Sequence, residues 1–335
     1  MAFPFPQMSR RRSAGYSRSA FGRGGGSRSG FGQRGKGIPI RLLIGLAIVA
    51  FSLFSYYFKT DANPITGEEQ RVALDDEADE VAIGLQAAPQ MAQQHGGFIE
   101  NTAASALVDQ VGEELVRGME EVWLDNGQSP YPFEFHLLQD PKTVNAFALP
   151  GGQVFITRAL YDRLETRGRL AGVLGHEIGH VIARHGNQRM AEQKRNQGIM
   201  SGVAVASGSM NTARMAQLAV QVSSMAHGRE QELESDKWGV RLMPIVGYNP
   251  EDLIEVMNIL EAASGGSKQP EFASTHPSPD NRRQTIADAI ADLPQELPGV
   301  LDRVDMRKTD EPLPPIGRSS RSRGPGPSLR DLFGG

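Results

Sequence analysis

The stretch Leu170–His185, LAGVLGHEIGHVIARH, decides how the rest of the chain is read. It carries His-Glu-x-x-His at His176, Glu177 and His180. Residues four apart sit one turn apart on the same helix face, so both imidazoles can reach one zinc ion at about 2.0–2.1 Å. Glu177 lies beside them, placed to work on water at the metal. The flanks support a helix: Leu170, Leu174, Ile178 and Val181 form an apolar stripe. At about 100° per residue this stripe lies roughly opposite the two histidines. One face is therefore expected to pack into a core and the other to hold a metal. Gly175 and Gly179 each cost about 1 kcal/mol of helix propensity against Ala, and their smallness lets another backbone come close.

Such a site needs a third protein ligand and an open fourth position. The solution with Gly at 183 and His at 186 is excluded, because the chain has Ala183 and Gly186. A carboxylate on a later helix is the other solution, and Arg229–Met243 (REQELESDKWGVRLM) offers one. Glu232 and Asp236 share a helical face. Glu232 is expected to ligate the metal, while Asp236 accepts a hydrogen bond from the second ring nitrogen of a ligand histidine. Glu230 and Glu234 are rivals, but neither has an Asp four residues later. The chain contains no cysteine, so disulfides and Cys-based metal sites are excluded. One zinc ion per chain, held by His and Glu, is the expectation.

Working outward, apolar residues make up 39% of the 335 and net charge is −4. A globular body is expected, and nothing in the overall charge argues for nucleic acid. Residues 1–37 form a basic Gly/Ser/Arg-rich tail without apolar periodicity and are expected to be disordered. An RNA-binding reading of its RGG-like runs has no folded support, so no nucleic-acid partner is expected. Leu42–Phe58 (LLIGLAIVAFSLFSYYF) is free of charge and bracketed by Arg41 and Lys59. It is long enough to cross a bilayer, with Tyr56 and Tyr57 at the interfacial aromatic level. Residues 38–59 are read as an uncleaved anchor, since the apolar stretch exceeds the 7–15 residues usual in a signal peptide. The basic residues from Arg10 to Arg41 keep the N-terminus in the cytoplasm, so the chain after Lys59 lies across the membrane.

Residues 60–304 read as one mixed domain. Helices are expected at 75–95 and 103–121, and strands at Phe133–Leu138, Val144–Leu149 and Gln153–Thr157, separated by the turns Asp140-Pro141 and Pro150-Gly151-Gly152. Helices then dominate to about 292, with 198–226 as amphipathic helices near the site. Residues 305–335, rich in Pro, Arg and Gly, are expected to be a loose tail. The fold class is α+β: mostly helical, with a small three-stranded sheet, preceded by one transmembrane helix.

These motifs together resemble metallopeptidase family forty-eight, the membrane-associated group of HtpX-like and BepA-like peptidases and CAAX prenyl proteases. HEIGH at 176–180 and ELESD at 232–236 match its HExxH and ExxxD, over a resemblance running from about residue 63 to 290. NAFALPGG at 145–152 is similar to its edge strand, which implies that Asn145, Ala146, Phe147, Ala148 and Leu149 receive an extended substrate. His276-Pro277 and Arg282, within THPSPDNRR, resemble its HP…R element. The resemblance implies a zincin-like fold and a role for His276 or Arg282 in stabilising the developing oxyanion. Alternatively, His276 occupies the open coordination position and keeps the enzyme quiet. It further implies a zinc endopeptidase of unfolded or misassembled envelope proteins, anchored once in the inner membrane with a periplasmic catalytic domain. The alternative is a metal-stabilised scaffold for envelope protein assembly, which has no need of a general base at Glu177. His185 is read as a helix-end histidine near terminal carbonyls rather than a ligand.

Overall fold

Apolar patterning, capping residues and glycines set the element order. In the computed structural model, which describes residues 39–124, 127–263, 276 and 281–317, α1 spans Ile40–Phe58. Among the described residues it is the one helix long and apolar enough to cross a membrane, and only 6% of it is buried. Two short antiparallel strands, β1 (Asp61–Ala62) and β2 (Glu69–Gln70), follow it. Helix α2 (Glu77–Gln94) starts on the side chain of Asp76, which accepts from Ala78 N. Helix α3 (Ala103–Trp123) starts on a Thr102–Ser105 capping box.

The three expected strands form one sheet in the order β3-β5-β4. β3 (Glu134–Leu138) runs parallel to β5 (Gln153–Thr157), and β4 (Ala146–Leu149) runs antiparallel to β5. β5 is buried along its whole length, as a central strand must be, which leaves β4 at the edge. After α4 (Arg158–Leu164) comes α5 (Arg167–Ile182), the helix of the HExxH motif.

The expectation of one buried face on α5 is too modest. Leu170, Leu174 and Ile178 have no exposure, but His176, Glu177 and His180 are buried as well, because α5 is the central helix of the core. Glycines make this possible. A Cβ at Gly179 would lie 2.9 Å from the Ser235 carbonyl oxygen and 2.9 Å from Trp238 Cβ, and one at Gly175 would lie 3.2 Å from Gly239 Cα. These contacts belong to α7 (Met210–Ile245), which carries the ELESD motif. We expect Gly179→Ala to destabilise the protein by roughly 1–3 kcal/mol in denaturant unfolding, since backbone must move to admit the methyl. Gly172→Ala is the control, because its Cβ would meet Leu253 only at ordinary contact distances of 3.4 Å and beyond. Equal stability of the two variants would show that close α5–α7 approach is unimportant.

Helix α6 (His185–Ser207) connects α5 to α7, and α8 (Asp252–Ala263) and α9 (Arg282–Glu296) close the core. The expected amphipathic region 198–226 is thus the turn-containing end of two long antiparallel helices, α6 and α7. Residues 305–317, expected to begin a loose tail, are instead packed. A short 3-10 turn (Leu301–Arg303) and α10 (Met306–Thr309) lead into a bridge between Pro312 and Thr166. Leu313 N donates to Glu165 O, and Tyr161 donates its hydroxyl to Pro314 O. Fixed prolines add little disorder where neighbours supply these donors. The 1–37 tail and residues 318–335 lie outside the described residues.

Candidate metal centre

Helices α5 and α7, held together at the glycines, bring His176, His180 and Glu232 to one point, where His276, from the chain ahead of α9, joins them. His176, His180, Glu232 and His276 each offer a ligand atom, and these atoms lie within 4.8 Å of one another. All four residues are buried, Glu232 completely. His176 Nε2 stands 3.1 Å from His180 Nε2 and 3.3 Å from Glu232, His180 Nε2 stands 3.5 Å from Glu232, and His276 Nδ1 stands 3.0 Å from Glu232. Four ligands at about 2.0–2.1 Å from a tetrahedral zinc lie roughly 3.3 Å apart, so the spacing fits such an ion.

The protons make the same point. Asp236 Oδ1 lies 2.8 Å from His176 Nδ1, and an ionised carboxylate only accepts, so His176 donates from Nδ1. His276 Nε2 is 3.2 Å from the Ala146 carbonyl oxygen, so it too must donate, leaving Nδ1 with a lone pair. In the neutral rings the lone pairs of His176 and His276 then converge on the Glu232 carboxylate. That arrangement is repulsive unless a cation lies among them. Burial pulls the His176 pKa down, but the Asp236 and Glu232 carboxylates outweigh it and push it up to about 9. Burial raises Glu232, yet the facing imidazoles hold its carboxyl well below the usual range. Burial keeps His180 neutral, well below the usual imidazole range.

Behind each histidine stands a support. Asp236 is gripped from its other side by Arg282, with Nε at 2.7 Å from Oδ2 and Nη2 at 2.8 Å from Oδ1. This fork–fork pair is buried and fixes the ring of His176 from behind. Arg282 Nη1 also lies 3.5 Å from the Glu232 carboxylate. His180 Nδ1 lies 2.9 Å from His185 Nδ1, and His185 Nε2 lies 3.1 Å from Glu234. His185 therefore does not sit at terminal carbonyls, as expected from sequence. It opens α6 and turns its ring back on His180, because Arg184 takes a left-handed conformation between the two helices. Sequence reading missed this support and missed Glu234 as its end. The only signal was a His five residues after His180.

Glu177 is fully buried and neither carboxylate oxygen has a hydrogen-bond partner among the described residues. Its nearest charge partner is His276 Nε2, 3.6 Å from Oε1. Burial, opposed by the histidines, raises its pKa. Glu177 borders a cleft of about 230 Å³, with His180 and His276 and the strand residues Asn145, Phe147, Ala148 and Leu149. Asn145 O accepts from Thr157 N on the β5 side, whereas Ala146 O points to His276. By the two-residue period of a strand, Ala148 also turns its backbone groups to the open edge. Pro277 lies outside the described residues.

A helix bearing two histidines and a glutamate, a carboxylate from a second helix and an open strand edge beside them define a metallopeptidase of the HExxH type. The chain belongs to peptidase family M48, whose model matches residues 109–290. Among known proteins it is similar to the beta-barrel assembly-enhancing protease of Escherichia coli O157:H7, with 32% identity over 169 residues, 47% of this chain and 34% of that one. It is 31% identical over 164 residues to the mitochondrial metalloendopeptidase OMA1 of Schizosaccharomyces pombe, covering 48% of each chain. The metalloprotease YcaL of Escherichia coli K12 is 28% identical over 169 residues, 49% of this chain and 63% of that one. The chain thus spans about a third of the length of the first of these relatives and half of the second.

Proposed function

We propose that the protein is a zinc-dependent endopeptidase acting on unfolded or misassembled envelope and membrane proteins. The observation that carries this is the fully buried carboxylate of Glu177, without a hydrogen bond among the described residues, beside converging histidine lone pairs. Keeping such a group is costly to a fold, and a scaffold would have no use for it. His176, His180 and Glu232 would hold the metal. When bound, zinc supplies Lewis acidity toward the peptide carbonyl and brings the pKa of water near neutrality.

The remaining work falls to this chain. An extended substrate adds to the free edge of β4, with backbone pairing at Ala146 and Ala148. Such pairing reads little side-chain identity, which suits unfolded substrates. Glu177 takes the proton of the attacking water as its oxygen joins the carbonyl carbon. The C–N bond then breaks, and Glu177 returns the proton to the departing amine. Asp236, held by Arg282, keeps His176 in the tautomer that presents Nε2. His185 does the same for His180.

His276 Nδ1 would offer a bound metal a fourth protein ligand, and its Nε2 caps Ala146 O, the first acceptor a substrate strand would use. This favours a latent resting state in which substrate displaces His276. His276→Ala is therefore expected to raise casein cleavage several-fold while zinc content is unchanged. A fall in cleavage instead would make His276 an oxyanion donor. For the function as a whole, metal analysis of the purified full chain should find one zinc, and a chelator should abolish cleavage until zinc is restored. Absence of bound metal would sink the reading. The basic N-terminal segment and the apolar length of α1 support a reading in which the N-terminus is cytoplasmic and the catalytic unit periplasmic, anchored in the inner membrane.

A further inference from the structure

The membrane-length helix α1 is not a free stalk: it packs along α6, and glycines make the seam. A Cβ at Gly45 would collide with the Gly202 carbonyl oxygen and with Ala206, one at Gly202 with Val49, and one at Gly198 with Ser52. At the ends of the seam, Arg195 stacks over the Tyr56 ring at 4.4 Å, and Arg41 approaches Gly208 to within 3.3 Å of the position a Cβ would take there. The two helices are therefore antiparallel and in contact over nearly the whole of α1. Whatever medium surrounds α1 between Arg41 and Tyr56 also surrounds α6 between Arg195 and Gly208.

Helix α7 returns alongside. Asn196 donates to Ser224, and His227 stands 3.6 Å from Glu192, so the α6–α7 pair shares the depth of α1 as well. The charges agree with burial in lipid. From Gln193 to Arg229 there is no acidic residue, and Ile199–Ala213 carries no charge. Lys194 and Arg195 stand with Lys59 at one end. At the other, continuing the helix pairing puts Arg214 beside Ala206 and thus level with Gly45, about one turn from Arg41. A long cation at that depth can reach headgroups by snorkelling. Val205, Met215 and Leu218 are exposed apolar side chains of this pair, which water would leave uncompensated.

We propose that residues 197–226, the turn-containing end of α6 and α7, are embedded in the bilayer beside α1, with the turn at Gly208–Ser209 reaching the side on which Arg41 lies. The inference rests on α1 being a membrane span. Its consequence is a fixed working height. Ten residues separate Arg195, at the level of Tyr56, from His185 beside the metal centre, which at 1.5 Å per residue is about 15 Å. The site is held rigidly near the membrane surface rather than on a flexible tether.

The absence of cysteine makes the test direct. Single variants Phe51→Cys, Val205→Cys, Leu218→Cys, Ser209→Cys and Glu230→Cys of the full chain are labelled with a membrane-impermeant maleimide in sealed vesicles of known orientation. Labelling after denaturation serves as the reference for each. A thiol in hydrocarbon stays protonated and unreactive, so the cysteines at 51, 205 and 218 are expected to label at least ~10-fold more slowly than that at 230. The cysteine at 209 should label only from the face opposite to 230. If 205 and 218 label as fast as 230 while 51 is shielded, or if 209 labels from the same face as 230, the hairpin lies in water and the proposal is overturned while α1 still spans. If 51 labels freely as well, the membrane reading of α1 falls with it.

Discussion

Glu177→Gln leaves the fold and the metal site in place and lowers cleavage by about 10²–10⁴-fold, the range expected for loss of a general base. Glutamine has the same shape, and the Glu177 side chain makes no hydrogen bond among the described residues that the amide would break. The metal-facing atoms belong to other residues, His176, His180, Glu232 and His276. Zinc content should therefore match the parent chain, and unfolding temperature should be equal or higher, since a buried carboxylate without a hydrogen bond is removed. What the variant lacks is an atom able to accept the proton of water. Parent-like cleavage with full zinc occupancy would show that another group is the base.

Arg184→Met is expected to destabilise the protein by roughly 3–5 kcal/mol, the cost of leaving a buried charge without its partner. Arg184 is 1% exposed although it stands at the junction of α5 and α6. Its Nε donates to Glu80 at 2.7 Å, Nη1 to Asp61 at 2.7 Å and Nη2 to Leu74 O at 3.2 Å. Asn187 completes the clamp: Ala73 N and Leu74 N donate to its Oδ1, and its Nδ2 donates to Glu80. Asn63 ties the same segment to Ile182 O. These bonds strap the chain that follows α1 onto the end of the metal-binding helix. Methionine keeps most of the volume but strands Glu80 in the interior. The double variant Arg184→Met with Glu80→Gln should recover a substantial part of the loss. A single variant within about 1 kcal/mol of the parent, measured by denaturant unfolding, would mean that the clamp is not structural.

The local elements were legible because each depends on neighbours in sequence. The periodic apolar residues of α2, α3 and α5 and the turns at Asp140 and Pro150 needed no long-range information. The β3–β5 strands were found to within two residues. The short β1–β2 ladder was missed because two-residue strands have no period to detect. Residues 305–317 were misread because composition alone cannot see donors and acceptors on distant segments, such as Tyr161 meeting Pro314.

For the site, sequence by itself determined that His176 and His180 share a helix face beside Glu177, and that Glu232 and Asp236 share another, because helical spacing fixes both. Only the tertiary structure decided that these faces meet. Gly175 and Gly179 let α5 and α7 approach until the carboxylate of Glu232 stands within 3.5 Å of both ring nitrogens. Arg282 went to Asp236, His276 to Glu232 and Ala146, and His185 to His180. None of these choices is encoded in spacing, because each depends on where a side chain remote in sequence, or a helix junction, leaves its hydrogen-bonding atoms.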